Sequence, residues 1–305
     1  RDGHDFVSAA FDAGATGALV SKPAGGRAEL VVEDVLSALE AIGVAARLRS
    51  GAIRTAVTGS VGKTSVKEML ARMYRAAGPA HWPEKSFNNH WGVPLTLARM
   101  PEDTERAVFE IGMSTPGEIA PRSRMVRPHH GRVSTITLSV VGRSVTVTLN
   151  AVGGHWAVNA AAAILMATRT GVSVVDAAAS LSGYTPPPGR GVAEAIALPG
   201  GGQAMMVDDA YNANPASMRA ALDGVVRPAA TGRRIVALGE MLEVGATSDE
   251  EHAALAAPIE AAGTEFAFLA GAGMEALAAA LPGTIQQRRA VKANDLSTEL
   301  KKLLW

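Results

Sequence analysis

The segment Thr58-Gly59-Ser60-Val61-Gly62-Lys63-Thr64-Ser65 brings glycines, one cation and several hydroxyls together. A phosphate asks for converging backbone N–H groups, a nearby cation and a helix N-terminus behind it. Gly59 and Gly62 would let the backbone approach, with Ser60 and Ser65 beside them. Lys63 would reach the terminal phosphates of a nucleotide, and the Thr64 hydroxyl would bind Mg2+. The general phosphate-loop pattern has glycine five residues before Gly62, where this chain has Val57, so the match rests on chemistry and context. The alternative is a Gly-rich turn with a surface lysine.

Three other clusters bear on the same chemistry. Glu110 ends the apolar run Ala107–Ile111 and precedes Gly112, which is where a magnesium carboxylate would sit at the carboxyl end of a strand; it could also be a charge that closes the strand. Lys85-Ser86-Phe87-Asn88-Asn89-His90-Trp91-Gly92 offers Asn88 and Asn89 for amide recognition of a polar, neutral ligand, or for satisfying turn backbone. Asp208-Asp209-Ala210-Tyr211-Asn212-Ala213-Asn214-Pro215 follows the strand-like run Ala204–Val207, with two acids and two amides poised for a ligand; Asn214-Pro215 could equally be a turn and helix start. His129-His130 is not expected to bind metal, because adjacent side chains of an extended segment point to opposite faces. Lys301-Lys302 reads as a solvated helix face.

The elements that must position these residues alternate between strand-like and helix-like runs, the pattern of an α/β protein with largely parallel sheets. Ala18–Val20 reads as a strand, and Val35, Leu36, Leu39 and Ile42 as one helix face ending at a polar boundary over Arg47–Ser50. A buried strand over Ile53–Thr58 runs into the glycine turn, then a helix with Val66, Met69, Leu70 and Met73 on one face. Alternation over 132–149 around Gly142 predicts a β-hairpin, followed by a helix over Ala157–Thr168. Pro186-Pro187-Pro188 cannot continue a helix or a central strand and marks a linker. After it, Ala204–Val207, Ile235–Leu238 and Phe266–Leu269, each followed by a helical pattern, predict a small doubly wound domain. The expected domains are therefore 1–48, 49–187 and 188–305.

With 48% hydrophobic and 19% charged residues the chain can bury a large core. Lys plus Arg balance Asp plus Glu at 29 each, which gives no electrostatic case for nucleic acid or an acidic membrane. The absence of cysteine excludes disulfides, thiolate catalysis and cysteine-held metal clusters. The longest apolar run, Ala160–Ala167, is far short of the ~20 residues that span a bilayer. A soluble, cytoplasmic monomer is the expectation. The chain opens without Met on sequence of mid-domain character, so natural residues are expected to precede Arg1.

In this order the motifs resemble the Mur ligases of peptidoglycan synthesis, in their F-type branch. Asp2-Gly3-His4-Asp5-Phe6 is similar to the tail of that family's uridine-nucleotide-binding region, and Thr58–Ser65 to its shortened phosphate loop. Phe87–Pro94, Glu110–Met113 and Pro116–Ile119 resemble the F-type central domain; Asp208–Met218 resembles the most specific F-type signature, continued by Leu238–Glu243 and His252. The resemblance implies three domains: a partial N-terminal α/β domain, a central phosphate-loop ATPase domain and a C-terminal Rossmann-like domain. It implies ATP-dependent ligation of D-alanyl-D-alanine to UDP-N-acetylmuramoyl-tripeptide through an acyl phosphate, with Lys63, Glu110 and Arg190 catalytic. It further implies Asn159 on the adenine, Arg190 on the ATP phosphates, Asp209 on the ribose, and Asn88, Asn89, Tyr211, Asn212 and Asn214 as substrate contacts, with closure of the third domain across the proline linker. There are departures. Ser114-Thr115 stands where the family has Asn-His, the segment near Val291–Asn294 is shortened, and Arg127-Pro128 lacks the following stretch with its carbamylated lysine for a second magnesium. Alternatives are another Mur or folylpolyglutamate-type amide ligase, or a non-catalytic relative that holds nucleotide.

Overall fold

The computed structural model describes residues 2–25, 28–59, 61–112, 118–128, 145, 147–151, 154–199, 201–225, 232–242 and 244–304. The chain divides into two compact units, one of residues 1–141 with 163–180 and one of 142–162 with 181–305. The expected hairpin over 132–149, the His129-His130 pair, Ser60, and the 113–117 stretch fall wholly or mostly outside the described residues.

The first unit opens with α1 (Val7–Asp12) and the parallel pair β1 (Ala18–Val20) and β2 (Glu29–Val31). Next come α2 (Val35–Arg49), β3 (Ile53–Val57), α3 (Lys63–Ala77), β4 (Ala80–His81), α4 (Gly92–Ala98), β5 (Arg106–Glu110) and α5 (Ile119–Val126). The strands form a parallel sheet in the order β3-β5-β4, with Val57 opposite Glu110. Alternation along β5 sorts its side chains between two layers. Ala107 and Phe109 join Val93, Leu97, Met100 and Val126 in one core, while α3 covers the opposite side. Helix α2 packs on α4, where a Cβ at Gly43 would lie 3.0 Å from the Pro94 carbonyl oxygen, so glycine permits the close approach. The expected polar boundary at Arg47 is displaced. α2 runs through it to Arg49, because the Arg47 guanidinium is buried and donates to the carbonyls of Arg124 and Met125, closing the end of α5.

The second unit takes in the start of α6 (Gly154–Arg169), and the first unit holds most of α7 (Val174–Leu181). Then follow β6 (Val192–Ala197), β7 (Gln203–Asp208), α8 (Pro215–Val225), β8 (Ile235–Gly239), α9 (Ser248–Ala253), α10 (Ala256–Ala261), β9 (Phe266–Ala270), α11 (Met274–Ala280), β10 (Gln286–Ala290) and α12 (Ala293–Leu304). Strands β8, β9 and β10 make a parallel sheet in the order β10-β9-β8. Ala267 and Leu269 face a core with Leu222, Leu255, Ile259 and Leu277, whereas Phe268 and Ala270 face Leu296 of α12. The sheet is thus covered on both faces, as the α/β pattern requires. One expectation is corrected here. The run 204–207 is a strand, but among the described residues it pairs antiparallel with β6 rather than joining β8 and β9. Lys301 and Lys302 lie exposed on α12 as expected.

Candidate active site

Strand β3, the glycine turn and α3 form a strand–loop–helix unit whose turn depends on two positive φ angles, 144° at Gly59 and 78° at Gly62. Gly62 is the N-cap residue of α3 in left-handed conformation, which a side chain at that position resists. The 15-residue α3 aims its unbonded N–H groups into the turn, a setting that favours an anion. Lys63 folds back over the loop, its ammonium 2.7 Å from the Gly59 carbonyl oxygen.

Behind the loop, three sequence-predicted residues meet. The Thr64 hydroxyl donates to Glu110 Oε2 at 2.9 Å, and Asn88 Nδ2 donates to Glu110 Oε1 at 2.9 Å. Glu110 is only 2% exposed and Thr64 8%, so the carboxylate is held by hydrogen bonds at both oxygens. The pairing of Val57 with Glu110 brings the acid level with the end of β3, and the Ile111 N–H to Val57 carbonyl bond at 2.9 Å fixes that alignment. Gly112 is required by proximity: a Cβ there would lie 2.8 Å from Asn88 Cγ. Its N–H donates to the Asn88 carbonyl at 2.8 Å. A hydroxyl and a carboxylate presented together are a hard-oxygen donor set that suits magnesium, which takes one or two protein ligands beside phosphate oxygens.

Sequence reasoning did not separate Asn88 from Asn89. Asn89 Oδ1 accepts from the N–H groups of Trp91 and Gly92 at 3.1 and 2.8 Å, so its amide oxygen closes the turn into α4. Two contributors were not singled out. The Ser86 hydroxyl lies 3.5 Å from Thr64 Oγ1, and the buried Arg122 donates to the Gly112 carbonyl at 2.6 Å. Ser86 sits within the amide-rich segment; Arg122 is signalled only by its i,i+4 spacing from Glu118, to which it also donates.

The second unit holds its own cluster where β7 ends. Arg190 lies over the Tyr211 ring with its guanidinium carbon 4.0 Å from the centroid. Gly189, at φ 74°, accepts the Tyr211 N–H at 3.0 Å, and a Cβ there would crowd Tyr211 at 3.1 Å. Burial pushes the Asp209 carboxyl up to about 6; Arg190 opposes the rise and Asp208 adds to it. Asn214 Oδ1 accepts from the N–H groups of Ala216 and Ser217 at 3.1 and 3.0 Å, making it the N-cap of α8 ahead of Pro215. Asn212 Oδ1 accepts from Ala213 at 3.0 Å, and Tyr211 is 57% exposed. Asn159 lies half-buried on α6. His252 is fully buried; Nε2 accepts the Met241 N–H at 2.9 Å and Nδ1 lies 2.7 Å from the Ser248 carbonyl, so the ring ties Met241 to the start of α9.

Comparison with known proteins gives two family matches: the Mur ligase middle domain over residues 57–139 and the Mur ligase, glutamate ligase domain over 196–303. The UDP-N-acetylmuramoyl-tripeptide–D-alanyl-D-alanine ligase of Bacillus subtilis is 29% identical, with 82% of this chain and 70% of that protein aligned. The ligase of the same name from Rickettsia prowazekii is 25% identical over 99% of this chain and 85% of its own. The one from Escherichia coli is 27% identical over 92% and 78%. Among solved structures, MurF from Acinetobacter baumannii superposes with a TM-score of 0.80 at 23% identity over 99% of this chain and 82% of that one. MurF from Thermotoga maritima in complex with ADP gives 0.77 at 19% identity over 98% and 85%. Both structures share the fold.

Proposed function

The chain belongs to the Mur ligase family of ATP-dependent amide ligases, and from that premise we propose that it joins D-alanyl-D-alanine to UDP-N-acetylmuramoyl-tripeptide in peptidoglycan precursor synthesis. The observation that carries the reading is the buried Glu110 carboxylate, gripped by Thr64 and Asn88 directly behind a glycine loop that ends in Lys63. That set serves a nucleotide phosphate with its metal.

Joining a carboxylate to an amine in water is uphill, so the acid must first be activated. The substrate carboxylate oxygen attacks the γ-phosphorus of ATP, the bond to the β-phosphate oxygen breaks and ADP leaves, giving an acyl phosphate; Mg2+ would supply charge neutralisation on the phosphates. Lys63 and the N–H groups of the loop stabilise the charge that develops on the transferred phosphoryl group. Thr64 and Glu110 would hold the metal, and Asn88 fixes the carboxylate so that little reorganisation is needed. The D-alanyl-D-alanine amine then attacks the acyl carbon, the nitrogen gives up a proton, the carbon–oxygen bond to phosphate breaks, and inorganic phosphate leaves. For Gly59, Ser60, Gly62 and Ser65 the proposed part is phosphate binding; for Asn159, Arg190 and Asp209 it is adenine, phosphate and ribose. Asn88, Asn89, Tyr211, Asn212 and Asn214 are the proposed substrate contacts. Domains over 1–48, 49–187 and 188–305, a monomeric state and a cytoplasmic location belong to the same reading. Among the described residues, no helix is long and apolar enough to cross a membrane.

The test is phosphate release from ATP with UDP-N-acetylmuramoyl-tripeptide, with and without D-alanyl-D-alanine. Release that requires both substrates is expected. Release that proceeds with another amine and not with the dipeptide would assign a different ligase.

A further inference from the structure

Lys67 is the one lysine whose side chain is 0% exposed among the ion pairs of the described residues, and the mechanism above makes no use of it. It sits on α3 one turn beyond Lys63. Its ammonium donates to the Pro83 carbonyl at 3.1 Å and pairs with Glu68, itself 27% exposed. Burying an ammonium is costly, and an apolar side chain of similar volume at such a place is often neutral or stabilising. Packing alone therefore gives no reason for a lysine here. What the ammonium does is fasten the first residue of the 83–91 segment, which has no helix or strand of its own.

That segment carries the groups that grip the carboxylate. Ser86 lies against Thr64, and Asn88 donates to Glu110 while its carbonyl takes the Gly112 N–H. The contacts close a ring: α3 through Lys67 to Pro83, along the segment to Asn88, across to Glu110, and back through Thr64 to the first turn of α3. A closed ring holds each member more tightly than an open chain would, because no link can swing without breaking another.

We propose that Lys67 is a positioning residue for the ligation reaction: it anchors the 83–91 segment so that Asn88 holds Glu110 in the geometry Thr64 shares. This rests on the ligase reading above. The test compares Lys67→Met, Lys67→Arg, Asn88→Ala and the double variant Lys67→Met/Asn88→Ala in the full chain. Lys67→Met should raise the magnesium concentration for half-maximal turnover by about tenfold, the lower end for partners that orient a metal ligand, and leave KM for the dipeptide unchanged. Lys67→Arg should restore part of the loss, since a guanidinium can still donate to Pro83. In the Asn88→Ala background Lys67→Met should add little, because both act on one link. Hydrogen exchange over 82–92, which needs no turnover, should speed up in Lys67→Met. Equal losses in both backgrounds, or unchanged exchange, would overturn the proposal. A wild-type protein that shows no dipeptide-dependent release would instead defeat the ligase reading, and the exchange result would still decide the anchoring.

Discussion

Replacing Gly112 by alanine tests whether the Asn88–Glu110 bond matters to magnesium use without touching either residue. A Cβ at position 112 would lie 2.8 Å from Asn88 Cγ and 2.9 Å from its Oδ1. Relaxed contacts need about 3.5 Å, so the amide has to shift by roughly 0.7 Å. The Asn88 Nδ2 to Glu110 Oε1 bond is 2.9 Å long. Lengthened by that amount it becomes ~3.6 Å and is no longer a hydrogen bond. A bond to a charged group contributes about 1.5–3 kcal/mol, which corresponds to roughly 10- to 100-fold in an equilibrium or rate. The assay is phosphate release at varied magnesium. Gly112→Ala should need roughly 10- to 100-fold more magnesium, or lose that much turnover, and match Asn88→Ala. Wild-type magnesium dependence in Gly112→Ala beside an impaired Asn88→Ala would refute the reasoning, because the crowding would then have been absorbed elsewhere.

Other expectations follow from the same geometry. Lys63→Ala should cut ATP turnover by at least ~100-fold yet leave the chain folded, since the ammonium's bond to the Gly59 carbonyl lies at the surface of the loop; full turnover in that variant would sink the phosphate-loop assignment. Asp209 is raised from 3.8 to about 6, so the folded state binds its proton more tightly than the unfolded state does. Stability should therefore rise as pH falls from about 6 towards 3.8, and Asp209→Asn should remove that component from a plot of melting temperature against pH. Asn214→Ala should cost about 0.5–2 kcal/mol by uncapping α8, whereas Asn214→Asp keeps the cap and removes the amide donor. A raised KM for the dipeptide in Asn214→Asp, measured by substrate titration, would mark a substrate contact beyond the cap.

Much of the site was legible because its parts follow the order of the chain. A strand ending at Val57, a glycine turn and a helix opening with Lys63-Thr64 declare themselves by residue type and period. Glu110 was readable as a polar end to an apolar run. What escaped involves side chains used against their usual preference. Lys67 and Arg47 belong to types that normally face water, yet both are buried as donors to carbonyls distant in sequence, and no local pattern reports a distant carbonyl. Asn88 and Asn89 are the same residue type, one on a carboxylate and one on turn backbone, and only the fold tells them apart. Strand partners were hidden for a related reason. Val192-Ala193-Glu194-Ala195-Ile196-Ala197 is poor in strongly β-forming residues, so neither β6 nor its antiparallel pairing with β7 among the described residues is legible from the sequence. The polar run Gln286–Ala290 concealed β10, which lies at the edge of its sheet.

The alignment of Val57 with Glu110 has a consequence for insertions and deletions. Parallel neighbours in a sheet sit about 4.8 Å apart, and side chains alternate faces with a period of two residues. The sheet therefore acts as a ruler between the phosphate loop and its carboxylate. Adding or removing one residue within 53–57 or 106–110 would move Glu110 out of step with Thr64, or turn it into the core beside Phe109. No single side-chain change could then restore the pairing. The glycine loop can vary in length or composition only if these two short strands keep their count, which makes ten backbone positions with ordinary side chains less tolerant of length change than the turn that carries the chemistry.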